Sequence, residues 1–259
     1  IGALSTAVLL AFSPTMLYFS RFARNDILMA VWVLGIVICI WKYMHSQQPR
    51  YLYFLSALLG LAFATKETSY LAVIGLGSFL FLLSREDLRS WIVGKKRLAN
   101  FSPPSALLLL LFALTLPQWS ALVGLLQEPL GIILANTDPA SGVVGAPQGG
   151  AIYVAFAVVA IALGASFSLG LFCDRIRWLV CAAIFYTVWS LFYTTFLTNP
   201  AGLATGMWQS LGYWLVQQGE ARGEQPLYYY VILTSIYEYL PCLLYTSPSP
   251  RDATLSRMP

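Results

Sequence analysis

Apolar residues run in long blocks along most of the chain, broken by short polar stretches. Read as helices, the blocks fall at roughly 2–18, 27–43, 51–65, 69–84, 105–125, 151–173, 178–197 and 227–241. They carry no polar stripe of the kind that marks a helix lying on a soluble core. A bilayer crossing needs about 20 apolar residues, and fewer where flanking side chains snorkel. The pattern therefore predicts an all-α fold, a polytopic transmembrane bundle with about seven or eight spans. No internal repeat is visible, which argues against the repeat-built secondary transporters. Composition agrees with the pattern: 58% of residues are hydrophobic and 10% charged, and the mean hydropathy is +0.70. A soluble domain would carry about a quarter of its residues charged. The chain is an integral membrane protein.

The two ends call for separate treatment. Ile1 stands inside an apolar run with no initiator Met and no signal-peptide charge before it, so the native N-terminus is expected to lie upstream. From Cys242 the residues read CLLYTSPSPRD, and a permitted back-translation runs through a widely used transposase sequencing adapter. The remaining residues to Pro259 fit index bases and the flow-cell sequence that follows. Residues 242–259 are expected to be translated adapter, which leaves 1–241 as a partial membrane domain.

Loop charge sets an orientation. One set of alternate loops carries Lys42, Arg50, Arg85, Arg89, Lys95, Lys96, Arg97, Arg175 and Arg177. The other carries Arg21, Arg24, Lys66 and Arg222. Basic residues gather on the cytoplasmic side of membrane proteins, so the first set is expected inside. The second set, and the long loops 126–150 and 198–226, are then extracytoplasmic. The net charge of +4 belongs mainly to the inner loops, where it suits anionic headgroups, and is no sign of nucleic-acid binding. Membrane lipids are the partners this composition names. Cys39, Cys173 and Cys181 have neither metal nor redox spacing, and packing explains them. His45, the sole histidine, falls in a polar loop.

The outer side then holds charge where charge is otherwise avoided. Arg21 and Arg24, three apart, share a helix face if the helix end persists, and guanidinium forks match phosphate oxygens. Snorkelling at a helix end is the structural alternative. Asp26 immediately precedes an apolar run and suits either an N-cap or a catalytic or ion-binding carboxylate. Lys66 and Glu67 interrupt two apolar blocks. They read either as an exposed turn or as an ammonium holding a lipid phosphate with a carboxylate beside it. Trp214, Arg222 and Tyr229 fall in or beside the late outer loop. Aromatic groups there form an interfacial belt or stack on a sugar.

Taken together, SPTMLYFSRFARNDIL and GLAFATKETSYL resemble the multi-spanning GT-C glycosyltransferases of family 39 type. These include protein O-mannosyltransferases and aminoarabinose transferases. FLTNPAGLATG, YWLVQQGEARGEQP and YYYVILTSIYEYLP look like the prokaryotic branch of flippase-activity-associated membrane proteins. The resemblance covers essentially 1–241. It implies a GT-C-like fold in the cell (plasma) membrane with an extracytoplasmic active face. It also implies a polyprenyl-phosphate sugar as donor, transferred without nucleotide. Arg21, Arg24 and Lys66 are then donor-phosphate ligands, Asp26 and Glu67 catalytic carboxylates, and Trp214, Arg222 and Tyr229 sugar or acceptor contacts. A divalent cation bound by Asp26 is compatible with the resemblance. The principal acidic catalytic residue of such enzymes, the general base for the acceptor, belongs to a first outer loop expected upstream of Ile1. The competing reading is a non-catalytic accessory to glycolipid flipping or cell-surface glycan assembly.

Overall fold

The chain folds, in the computed structural model, into helices joined by turns and by a longer loop at 131–150, with no strand among the described residues. Described are residues 25–94 and 101–218, with isolated positions 4, 7, 8, 11–13, 226, 228, 229 and 232. By contacts the chain divides into residues 1–27 with 221–259, and residues 28–220; the architecture below is essentially that of the second unit. The expected helices over 2–18 and 227–241, and all of 242–259, lie almost wholly outside the described residues.

Helix α1 spans Asp26–Ser46, α2 Pro49–Thr65 and α3 Thr68–Ile92. Helix α4, Pro103–Thr115, continues through a 3-10 segment at Leu116–Leu126 and a single turn at Gln127–Leu130. A long helical stretch then breaks only at Asp174 (φ −149°, ψ 95°), giving α5, Ala151–Phe172, and α6, Asp174–Tyr193. After turns at 194–201, a short helix at Gly202–Ala204 and a π-helical turn at Thr205–Gln209 lead into α7, Ser210–Gln217. Five of these elements are long and apolar enough to cross a membrane: α1, α3, the continuous Pro103–Leu130 stretch, α5 and α6. Helix α2, at 17 residues, spans about 26 Å at 1.5 Å per residue, slightly less than a bilayer's hydrocarbon. Its place is internal, with Leu52, Leu55, Ser56, Leu59, Gly60, Ala62 and Phe63 all buried.

Helices α2 and α6 form the centre. A Cβ at Gly60 would lie 3.0 Å from the Phe185 carbonyl oxygen and 3.1 Å from Val188 Cβ, so glycine lets the two backbones approach, as small residues do between membrane helices. Phe185, Trp189, Cys181 and Trp178 from α6 are buried against α2 and its neighbours. Outward-facing side chains are apolar too: Phe156 is 76% exposed and Ile161 71%, the surface a lipid-facing helix presents.

Polar groups inside the bundle repair backbone breaks. Pro117 has no N–H, so it deprives the Ala113 carbonyl of its α-helical donor and the Leu114 carbonyl of its 3-10 donor. Ser166 Oγ of α5 donates to the Ala113 carbonyl, and Tyr186 Oη of α6 donates to Leu114 at 3.3 Å. In hydrocarbon an unpaired carbonyl is costly. Tyr186→Phe is therefore expected to lower stability by about 1–2 kcal/mol, read as a fall in the melting temperature of detergent-solubilised protein. An unchanged melting temperature would show that another donor serves Leu114.

Three expectations from the sequence change. The helix expected over 69–84 continues to Ile92, because Asp87 on the added turns has structural work. Its Oδ2 accepts from the Ser102 backbone N–H and the Ser105 hydroxyl, both at 2.8 Å, at the start of α4. Residues 174–177, expected as a loop, open α6 instead, and Asp174 Oδ1 takes the Arg177 N–H at 3.2 Å as an N-cap does. The helix expected to reach residue 197 stops at Tyr193, since Thr195, Phe196 and Leu197 all adopt positive φ.

Candidate functional site

The Lys66–Glu67 turn joins α2 to α3 with only two residues and marks one end of the bundle. Lys66 is extended (φ −163°, ψ 150°) and its N–H closes α2 on the Ala62 carbonyl at 3.2 Å. Glu67 then starts α3, its carbonyl accepting from Tyr70 N–H at 3.0 Å. The last turn of α2 is held from three directions. Thr65 Oγ1 donates to Leu61 at 2.6 Å, Trp32 Nε1 of α1 donates to Thr65 Oγ1 at 3.1 Å, and Tyr193 Oη of α6 donates to Phe63 at 3.1 Å. Of the terminal carbonyls that a helix leaves unpaired, Ala62 is closed by the Lys66 N–H and Phe63 by the Tyr193 hydroxyl, and contacts from α1 and α6 fix the turn in place. Lys66 and Glu67 are both half-buried.

Beneath the turn lies a set of hydroxyls. Tyr70, one helical turn after Glu67, is 2% exposed. Its Oη is 3.2 Å from both the Gln118 carbonyl and Ser210 Oγ of α7. The Tyr193 hydroxyl, donating to the Phe63 carbonyl at 3.1 Å, stands at the same end of the bundle. Trp119 packs edge-to-face on Tyr70, centroids 5.0 Å apart. The Gln118 side-chain amide is fully buried, and neither its oxygen nor its nitrogen has a partner among the described residues. A buried amide without partners is costly and calls for a ligand or water.

Two loops cover this end. Leu134 carbonyl accepts from Trp208 Nε1 at 3.0 Å, and Val144 carbonyl from Gln209 Nε2 at 3.2 Å. Gly145 (φ +79°) lies so close to Gly212 and Tyr213 that a Cβ on it would strike their backbone. The loop at 131–150 is therefore seated on the segment that carries α7, and its own turns are closed by Asn136, Asp138 and Ser141.

Of the residues singled out from sequence, Lys66 and Glu67 stand in this site. Trp214, on α7, is half-buried against the core. Asp26 is the first residue of α1, where the helix dipole favours a carboxylate. Tyr229 is half-buried in the other unit. Arg21, Arg24 and Arg222 lie outside the described residues. No group of three or more His, Cys, Asp or Glu side chains is placed to hold a metal ion among the described residues. Sequence reasoning passed over Tyr70, Tyr193, Ser210 and Gln118. Tyr70 had a signal, since it sits three residues after Glu67 and so on the same face.

No curated protein and no solved structure matches the chain. The family model for dolichyl-phosphate-mannose-protein mannosyltransferase matches residues 1–120, a stretch that includes Asp26, Lys66, Glu67, Tyr70 and Gln118. That match supports a GT-C-type glycosyltransferase membrane protein.

Proposed function

We propose that this chain is the membrane part of a glycosyltransferase that moves a sugar from a polyprenyl-phosphate donor to an acceptor on the extracytoplasmic face of the plasma membrane. In that reaction the bond between the anomeric carbon and the phosphate oxygen breaks, and a bond from the acceptor oxygen forms. The acceptor proton passes to a carboxylate, and polyprenyl phosphate leaves. Lys66 is the natural partner for the leaving phosphate, because an ammonium placed at developing negative charge lowers the barrier. Arg21 and Arg24 supply further positive charge on the same side of the topology read from loop charges. Asp26 and Glu67 are each assigned a supporting catalytic role, with the general base expected in the loop upstream of Ile1. The buried Gln118 amide and the Tyr70, Tyr193 and Ser210 hydroxyls suit the hydroxyls of a sugar. Trp214, Arg222 and Tyr229 are assigned to the sugar or acceptor.

The observation that carries this reading is the rigid Lys66–Glu67 turn above a buried, incompletely paired polar cluster, within the residues matched by the mannosyltransferase family. The test is sugar transfer from a polyprenyl-phosphate donor by full-length protein carrying Arg24→Ala, Asp26→Asn or Lys66→Ala. Each is expected to cut turnover by at least tenfold. Unchanged turnover in all three would overturn the site assignment, whereas no transfer by the wild-type protein would favour a non-catalytic accessory.

A further inference from the structure

At the end of the bundle opposite Lys66–Glu67 there is a cavity of about 220 Å³ with polar and charged groups in its lining. Each helix lining it contributes the end remote from that turn: Tyr43 and Gln47 where α1 finishes, Pro103 at the start of α4, and Asp174, Arg177 and Trp178 where α6 begins. The helix break at Asp174 opens this space. Gly170, just before the break, has the Trp178 indole against its backbone, where any Cβ would collide with the ring. Trp178 is 3% exposed, and its Nε1 has no partner among the described residues. An indole N–H buried beside a cavity is a donor waiting for an acceptor.

The charges of this cavity are a close pair. Asp174 Oδ2 lies 3.2 Å from Arg177 Nε, with both side chains about half exposed (47% and 48%). A pair so exposed contributes only about 0–1 kcal/mol to stability, so sharing it with a ligand costs little. Arg177 and Tyr43 both line the cavity. A guanidinium with donors to spare fits a phosphate. A simple anion, however, would meet Asp174 a few ångströms away. A zwitterion meets both charges.

We propose that this cavity is a binding site for the headgroup of a zwitterionic phospholipid bearing a primary amine. The phosphodiester sits on Arg177 and the Trp178 N–H, and the ammonium on Asp174. The occupant is a membrane lipid because the cavity lies at an end of apolar, lipid-facing helices, where a headgroup and its chains fall at matching depths. The site is separate from the Lys66–Glu67 turn, and its occupancy does not depend on sugar transfer.

Native mass spectrometry of the full-length protein, released from nanodiscs of equal parts phosphatidylethanolamine, phosphatidylcholine and phosphatidylglycerol, tests this. Wild-type protein is expected to retain phosphatidylethanolamine about tenfold over phosphatidylglycerol. Arg177→Gln is expected to abolish retention, while Arg175→Gln, which removes an exposed neighbouring charge outside the cavity lining, leaves it intact. Asp174→Asn keeps a good N-cap residue and therefore the fold, and is expected to shift preference towards phosphatidylglycerol. Identical lipid profiles for wild type, Arg177→Gln and Asp174→Asn would overturn the proposal. Displacement of the lipid by an equal concentration of free O-phosphoethanolamine would overturn the lipid assignment in favour of a soluble phosphate ester.

Discussion

Lys66→Ala in the full-length protein is expected to lower the turnover number for sugar transfer by about 10²-fold, with the protein still folded and membrane-inserted. The backbone at Lys66 tolerates the change. Lys66 is extended at φ −163°, a conformation any residue adopts, and the bonds that close the turn run from its main chain. Alanine preserves them. What it removes is a half-buried ammonium at the end of α2. If that charge acts on the phosphate as the glycosidic bond breaks, kcat falls more than donor KM rises, because the interaction strengthens in the transition state. Lys66→Arg retains the charge and should recover part of the rate, although a planar fork is not a point charge. A rise in KM at unchanged kcat would instead make Lys66 a ground-state anchor.

The second large effect concerns stability. Gly202→Ala is expected to cost about 3 kcal/mol, read as a lower melting temperature and reduced yield of membrane-inserted protein. A single methyl there collides with the Tyr193 carbonyl, and Thr194 Cα lies 3.1 Å away. These are backbone atoms at the end of α6, where Thr195, Phe196 and Leu197 already hold positive φ, so neither side can yield cheaply. Gly206 is packed instead against the rings of Trp189 and Tyr193. The contrast is Gly75→Ala in α3, whose added Cβ meets nothing within 4 Å. It should be neutral or gain up to about 1 kcal/mol from helix propensity. Equal melting temperatures for the two variants would contradict this account. Because the displaced segment leads into Ser210, Gly202→Ala should also disturb the Tyr70–Ser210 contact and hence transfer.

Hydropathy alone made the helices legible, because lipid-facing and buried positions are both apolar and the polar breaks between them are sharp. It misplaced ends where other forces act. Charged residues at 85–89 looked like a loop, yet Asp87 extends α3 to serve the start of α4. Polarity at 174–177 looked like a connection, yet an Asp in N-cap position restarts the helix at once. Nothing in hydropathy marks a run of left-handed residues after Tyr193. In the site, the Lys66–Glu67 turn stood out because charge is expensive beside apolar blocks. Its supporting cluster did not, since Tyr70 and Ser210 are 140 positions apart and each alone resembles an ordinary buried hydroxyl.

The break at Pro117 has a consequence in time. The ribosome delivers α4 before the helices that mend it: Ser166 follows Ala113 by 53 positions and Tyr186 follows Leu114 by 72. Until α5 and α6 have been synthesised, neither of these donors exists. The fourth helix thus acquires its final hydrogen bonds only from segments still to be made, and its settling in the bilayer is tied to theirs.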